Sequence, residues 1–354
     1  MTNLDKLLAL LDGTHDAFLL TGRCSRMYAA QFDVAEGVAI VSKNGCRYFT
    51  DSRYLETAQK NIAQFEVMQI SRVCPSVMLL NTAIAELGIE KLGYEENDLT
   101  AAQLNAFTQT LKVELVPAGK QINALRSVKE DWELAIMRRA QQVADRSFTD
   151  VLPKICAGMT EKQLQAELIY CLYKNGAERL SFDPIVVSGP NTSMPHGVAT
   201  DRVIEKGDFI TMDFGAVVDG YCSDMTRTVA VGYATDEMRK VYDTVLAAQR
   251  AGIAATKAGV MGKDIDAAAR RVIEQAGYGA YFGHGYGHSL GMEVHECPNC
   301  NPSEETVMQE NMICSAEPGI YIPGKFGVRI EDVVIFTADG CENITKSPKE
   351  LMIV

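Results

Sequence analysis

The stretch GHGYGHSLGMEVHECP, residues 283 to 298, holds His284, His288 and His295, three of the five histidines in the chain. Imidazole binds divalent metals, donates to developing oxyanions and carries protons, so such a concentration of it points to chemistry. The interleaved glycines disfavour a helix. The zinc-helix pattern H-E-x-x-H also fails, because Asn299 follows His295-Glu296 where a second histidine would stand. Whatever these imidazoles serve must be completed from elsewhere in the chain.

Carboxylates supply the next clue. DFITMDFGAVVDGYCSDMTRTVAVG, residues 208 to 232, is two β-type runs joined by Asp219-Gly220, a strong two-residue hairpin signal. A turn at those residues pairs Val218 with Tyr221, Asp213 with Thr226 and Asp224 with Gly215. Asp213 and Asp224 then share one face as diagonal neighbours, about 7–8 Å apart at Cα. On a solvated face they would be incidental; on an inward face two such acids are costly without a cation. Apolar flanks on both acids favour the inward face. Further on, NMICSAEPGIYI carries Glu317, and GVRIEDVVIF puts Arg329 and Glu331 on one face of an expected strand. An isolated Arg-x-Glu of this kind is most often a surface ion pair.

An internal repeat ties these groups together. AGMTEKQLQA (157–166) lies over AGVMGKDIDA (258–267) at an offset of 101. Asp213 to Glu317, Asp224 to Glu331 and His196 to His295 span 104, 107 and 99 residues, all close to that offset. Each half therefore offers one acid before its last strand, one on it, and one histidine. Four carboxylates match the charge of two divalent cations, with His288 as a neutral fifth ligand. An oxygen-rich set with one imidazole suits Mn²⁺, Co²⁺ or Fe²⁺, and also Zn²⁺, better than a thiolate-rich structural site. Two ions sharing a bridging hydroxide provide a nucleophile for amide hydrolysis near neutral pH.

The elements that must position these residues fall into two regions. Residues 13 to 117 alternate β-type runs (37–41, 47–50, 66–70) with helical stretches (52–63, 76–87, 100–111), the pattern of a small α/β domain. VPAGKQINALRSVKE, with Pro117 and Gly119, marks the boundary, giving domains 1–122 and 123–354. Beyond it, helices near 129–156 and 160–175 precede strands near 184–231. Helices near 236–257 and 262–276 then precede strands near 312–336. The expected class is α+β, with two related halves and a site at their shared axis.

Composition excludes several functions. The length suits about two domains, and 47% hydrophobic with 23% charged residues is ordinary for a soluble globular protein. A net charge of −12 opposes a nucleic-acid or anionic-membrane partner. No apolar run approaches the roughly 20 residues that cross a bilayer. MTNLDKLLALLDGTHD has neither a basic start nor a cleavage site, so a surface helix is expected there and not a signal peptide. The ten cysteines sit mostly in apolar stretches, as reduced, buried thiols of a cytoplasmic protein do. Cys297-Pro298-Asn299-Cys300 has no second half-site and is expected to be a loop with two incidental thiols.

MDFGAVVDGYCSDMTRT resembles the D-x-G-x(n)-Y-x-S-D-x-T-R-T signature of the pita-bread (M24) metallopeptidases, within them the Xaa-Pro aminopeptidase and Xaa-Pro dipeptidase (prolidase) group. GHGYGHSLGMEVHECP is similar to that group's histidine run, with Met292 for the usual leucine. SAEPGIY and GVRIED resemble its two glutamate motifs, SGPNTSMPHG its first histidine motif, and TDSRYLETAQ its creatinase-type N-terminal domain. SRMYAAQF (25–32) departs from the usual N-x-R-Y-L-T-G-F of the substrate-pocket loop. The resemblance runs nearly end to end.

It implies a creatinase-like N-terminal domain, a pseudo-twofold catalytic domain and hydrolysis of the Xaa-Pro bond at the N-terminus of short peptides. Asp213, Asp224, His288, Glu317 and Glu331 would hold two divalent ions, Mn²⁺ or Co²⁺ foremost, with Asp224 and Glu331 bridging. His196 and His295 would flank the scissile amide, and Glu317 would also accept the proton of the attacking water. His284, Tyr321 and Arg329 would orient the substrate. The N-terminal domain carries none of these residues, so its expected task is to form a homodimer and narrow access. Methionine-type aminopeptidases normally lack such a domain, creatinase-like hydrolases do without the metals, and a non-catalytic relative would have lost ligands.

Overall fold

The computed structural model describes residues 2–354. It divides into two compact units, Met1–Arg126 and Ser127–Val354. The division expected after residue 122 falls inside the helix Gly119–Ser127.

The first unit is built on a six-stranded mixed sheet. Its spatial order is Glu66–Gln69, Gly45–Thr50, Val38–Ser42, Ala17–Leu20, Lys91–Tyr94 and Glu114–Pro117. The two pairings around Val38–Ser42 are antiparallel and the other three are parallel. Parallel neighbours need crossovers, and the helices Leu55–Asn61, Ser76–Glu86 and Ala101–Thr110 supply them. Leu79, Leu80, Ala83 and Ile84 recur at helical spacing and bury against Leu19, Ile40, Phe49 and Leu92 of the sheet. The N-terminal segment is the helix Asn3–Ala9, opened by a capping box between Thr2 and Asp5.

The second unit repeats one plan twice. Helices Asp131–Val151 and Glu161–Lys174 back a sheet of Ile185–Ser188, Phe209–Phe214 and Met225–Ala230. Helices Asp236–Ala255 and Gly262–Gln275 back a sheet of Ile313–Ala316, Asp332–Phe336 and Cys341–Asn343. Local chemistry sets the helix starts. Thr160 and Gln163 form the expected capping box, and the Thr235 hydroxyl accepts the Met238 N–H. Each half keeps its own core, one centred on Phe148, Leu164, Leu168 and Met212 and the other on Val241, Val245, Ile265 and Ile320. The halves meet where Thr228 Oγ1 donates to the Arg329 carbonyl at 2.9 Å and the Glu331 N–H donates to the Thr226 carbonyl at 3.0 Å.

The hairpin has the expected register, Val218 with Tyr221 and Asp213 with Thr226. Asp219 and Gly220 both take positive φ, 45° and 78°, as a type I′ turn requires. Three details differ from expectation. The Arg329–Glu331 run is not one strand: Phe326–Arg329 belongs to a hairpin with Gly319–Ile322, and Asp332–Phe336 to the neighbouring sheet, with the chain crossing between them. Cys297 and Cys300 lie not in a loop but on the strand Glu296–Cys300, which pairs with Gly287–Ser289. Cys297 is exposed, whereas Cys300 is buried with its Sγ 3.1 Å from Cys314 Sγ. Finally, only Cys171, Cys222, Cys300 and Cys314 are buried, while Cys156 and Cys297 are exposed.

Candidate active site

A cavity of about 450 Å³ in the second unit is lined by Asp213, Asp224, His288, Glu317 and Glu331, together with His196, His284, His295 and Arg329. Of the ten residues singled out from sequence, only Tyr321 is outside this lining. It borders an adjoining hollow shared with His196 and His284.

Strand ends carry the acids. Asp213 is the penultimate residue of Phe209–Phe214, and Asp224 immediately precedes Met225–Ala230. Gly215 lets these two segments approach, since a Cβ there would lie 1.9 Å from the Ser223 carbonyl oxygen. In the other half Glu317 follows Ile313–Ala316 and Glu331 precedes Asp332–Phe336. Gly287, beside His288, repeats the close approach, its Cβ falling 1.9 Å from the Ser315 carbonyl oxygen. The halves thus deliver equivalent acids to one cavity from equivalent strand ends.

Small hydroxyls and one amide hold these groups. Thr226 Oγ1 donates to Glu331 at 2.7 Å and accepts from Arg329 Nε at 3.1 Å. Ser315 Oγ accepts the His288 N–H at 3.0 Å and donates to Glu317 at 3.0 Å. Gln141 Oε1 faces the Asp224 N–H at 3.4 Å. Sequence reasoning missed all three. Thr226 and Ser315 stand two residues from Asp224 and Glu317, a spacing that on a strand shares their face and could have flagged them.

The electrostatics are those of crowded like charges. Asp224 is pushed well above the usual carboxylate range by burial, then by Glu331, Asp213 and Glu317. Glu331 is pushed well above it by burial, then by Glu317 and Asp213. Burial also raises Asp213, although the Arg329 guanidinium sits 2.6 Å from its Oδ2 and opposes the shift. Burial would raise Glu317 as well, but His288 Nε2 at 3.2 Å overrides it and holds the carboxyl at about 2. His288 is correspondingly raised, its buried cation favoured by Glu317. Burial and the neighbouring His288 lower His295, and burial lowers His284.

This arrangement fits divalent cations. Asp213 Oδ1 and Asp224 Oδ1 are buried with no hydrogen-bond partner among the described residues, a costly state for a carboxylate. Asp224, His288 and Glu331 each bring a ligand atom into a group lying within 4.8 Å of one another. Carboxylates repelling one another around partnerless oxygens take either protons or a cation. The donor set of four carboxylates and one imidazole suits the cation.

His284, Tyr321 and Arg329 form a second network. Tyr321 OH accepts from Arg329 Nη1 at 2.9 Å and meets His284 Nε2 at 2.9 Å. Arg329 Nη1 also donates to the Pro195 carbonyl at 3.2 Å, one residue from His196. Burial pushes the Tyr321 phenol up to about 12, so it stays a neutral donor. His196 and His295 are both exposed at the cavity.

Comparison with known proteins identifies the family. Residues 135–338 match the model of metallopeptidase family M24, and residues 4–128 match the creatinase/prolidase N-terminal domain. An uncharacterized peptidase, YqhT, of Bacillus subtilis is 40% identical over 96% of both chains. An Xaa-Pro dipeptidase of Pyrococcus furiosus is 39% identical over 74% of this chain and 76% of its own. Among solved structures, an Xaa-Pro dipeptidase from Bacillus anthracis superposes with a TM-score of 0.95 at 42% identity, covering 99% of each chain. An X-Pro aminopeptidase from Thermotoga maritima gives 0.92 at 35% identity, again over 99% of each. The chain belongs to metallopeptidase family M24, with a creatinase-type domain ahead of a pita-bread catalytic domain. No helix among the described residues is long and apolar enough to cross a membrane.

Proposed function

We propose that this enzyme hydrolyses the amide bond between an N-terminal residue and a following proline in short peptides, using two divalent ions held by Asp213, Asp224, His288, Glu317 and Glu331. The observation that carries the reading is the set of buried, mutually raised carboxylates with the partnerless Asp213 and Asp224 oxygens. When bound, Mn²⁺ or Co²⁺ (Zn²⁺ or Fe²⁺ also suit the donors) neutralises these charges and makes water acidic enough to attack near neutral pH.

The chain's own groups then have separate tasks. With the ions in place His288 would be a neutral ligand and its pairing with Glu317 would give way, and Glu317 would keep a carboxylate oxygen to accept the proton of the attacking water. His295, with its lowered pKa, is a neutral imidazole whose N–H stabilises the developing oxyanion. His196, on the opposite loop, assists departure of the proline nitrogen. That nitrogen carries no N–H before cleavage and its ring restricts φ, so the site needs a shaped wall on this side. His284, Tyr321 and Arg329 form that wall.

Relatives named Xaa-Pro dipeptidase and X-Pro aminopeptidase support the proline preference. The ten free thiols fit a cytoplasmic enzyme, and we assign it a homodimeric state. The direct test is hydrolysis of Ala-Pro against Ala-Ala at equal Mn²⁺ loading. A wall fitted to the ring favours Ala-Pro by at least about tenfold in kcat/KM. Equal rates, or faster cleavage after an N-terminal methionine, would remove the proline specificity and leave the metal site standing.

A further inference from the structure

Both exposed histidines of the site sit on loops closed by a buried carboxylate. For the His196 loop this is Glu161, which accepts the Ser188 N–H at 2.6 Å and the Thr200 N–H at 2.9 Å. Its charge needs no cation, because Ser188, Asn191 and Thr200 side chains satisfy the rest of it. For the His295 loop the carboxylate is Glu296. Its Oε1 accepts the Met292 and Glu293 N–H groups at 3.0 and 3.3 Å. Gly291 makes room for it, since a Cβ there would lie 2.6 Å from Glu296 Oε2.

That Oε2 faces Lys129 Nζ at 3.1 Å, and the two side chains are only 1% and 5% exposed. Lys129 lies 167 residues away in sequence. Its backbone N–H is itself tied to the Asn311 carbonyl at 3.0 Å, and its Nζ reaches Ser289 Oγ at 3.5 Å. The ammonium therefore joins the residue after His288 to the residue after His295. A buried ion pair is weak evidence for stability, because desolvation offsets much of its attraction; what it does supply is a fixed geometry. The His288 and His295 rings stand 4.3 Å apart between centroids.

We infer that Lys129 is a positioning residue for the hydrolysis: through Glu296 it holds the His295 imidazole against the site. The inference rests on the reading of His295 as the oxyanion donor. Removing the ammonium takes away the cation 3.1 Å from Glu296 Oε2, so the carboxylate shifts from its place and the 291–296 loop loses its closure. His288 keeps its own bonds to Ser315 and Ser289, so metal binding persists.

The test uses the full-length, metal-loaded enzyme with Lys129→Met and Lys129→Arg, each alone and with His295→Ala. Lys129→Met should lower kcat by roughly 10–100-fold, the scale of misplacing one oxyanion donor. KM should change little, metal content should stay unchanged, and Lys129→Arg should recover most of the loss. In the His295→Ala background Lys129→Met should add less than about threefold, because the two act as one unit. Multiplying losses, or loss of metal with Lys129→Met, overturns the proposal. Should Lys129→Met fail to fold, Glu296→Gln is read the same way, since it keeps an oxygen for the loop N–H groups and removes the charge.

Histidine-labelled NMR on the protein loaded with diamagnetic Zn²⁺ separates this inference from the functional reading. The chain has five histidines, and His15, in the first unit, serves as the unaffected control. The His295 resonance should shift or broaden in Lys129→Met. An unchanged His295 resonance refutes the positioning even if activity falls. A shifted resonance with full kcat in His295→Ala upholds the positioning and removes the catalytic role.

Discussion

His288 and His295 are neighbours with different supports, and their replacements should be told apart by metal content. His288 is pinned by Ser315, Ser289 and Glu317 and lies within reach of Asp224. His295 stands at the exposed end of a loop. His288→Ala should therefore lower bound metal, measured by elemental analysis. His295→Ala should keep the metal and lose roughly 10²-fold in kcat; the opposite pattern would exchange their roles. The lowered pKa of His295 also sets a pH limb. A neutral donor is protonated only as pH falls below the usual imidazole value of about 6.5. The acid limb of kcat should accordingly lie below that value and be absent in His295→Ala. At this scale the residue types were legible in the sequence, because acids and imidazoles are scarce on inward faces. Their hydroxyl partners were not. Thr226 and Ser315 look like any strand threonine or serine until the opposite half is in place.

Elements bring these residues together through close backbone approaches that only glycine permits. Gly215 against Ser223 in one half and Gly287 against Ser315 in the other are both such contacts, with an added Cβ falling 1.9 Å from a carbonyl oxygen in each. Gly287→Ala must push Gly287–Ser289 away from Ser315 and carry His288 with it. The expected cost is about 1–3 kcal/mol of stability, seen as a lower Tm, together with weaker metal binding by titration. Unchanged values of both would show that the strand has slack. The Asp213–Asp224 hairpin was legible because turn chemistry and side-chain alternation gave the same register. Gly287–Ser289 and Glu296–Cys300 were not, since glycine, histidine and proline mask any strand propensity. The single strand expected through Arg329 and Glu331 failed for a topological reason. The chain changes sheets there, and alternation within one segment carries no sign of which sheet receives it. Arg227 marks the crossing: its fully buried guanidinium contacts the Glu331 carbonyl and pairs with Asp332 at 2.7 Å.

The whole molecule inherits a pH dependence from the crowded centre. Asp224, Glu331 and Asp213 are raised above their ordinary values, and so is His288. A raised native pKa means that the folded chain binds more protons than the unfolded one. The stability contributed is present below the unfolded pKa and is lost as pH rises through the folded value. His284 and His295, both lowered, act in the opposite sense, but only below the ordinary imidazole range. Glu317, at about 2, contributes stability lost only at strongly acid pH. As pH rises past the ordinary imidazole value of about 6.5 the lowered imidazoles drop out and the raised groups dominate, so chelated protein should lose Tm as the pH is taken upward from there. A divalent ion would replace the bound protons as the neutralising charge. It should raise Tm by mass action, and the gain should grow with pH because deprotonated carboxylates bind the ion better. Differential scanning fluorimetry on chelated and reloaded protein across that range measures both slopes. A chelated protein whose Tm is flat or rises with pH, with no larger metal-induced gain at the alkaline end, would mean that these carboxylates are neutralised by something other than protons or metal.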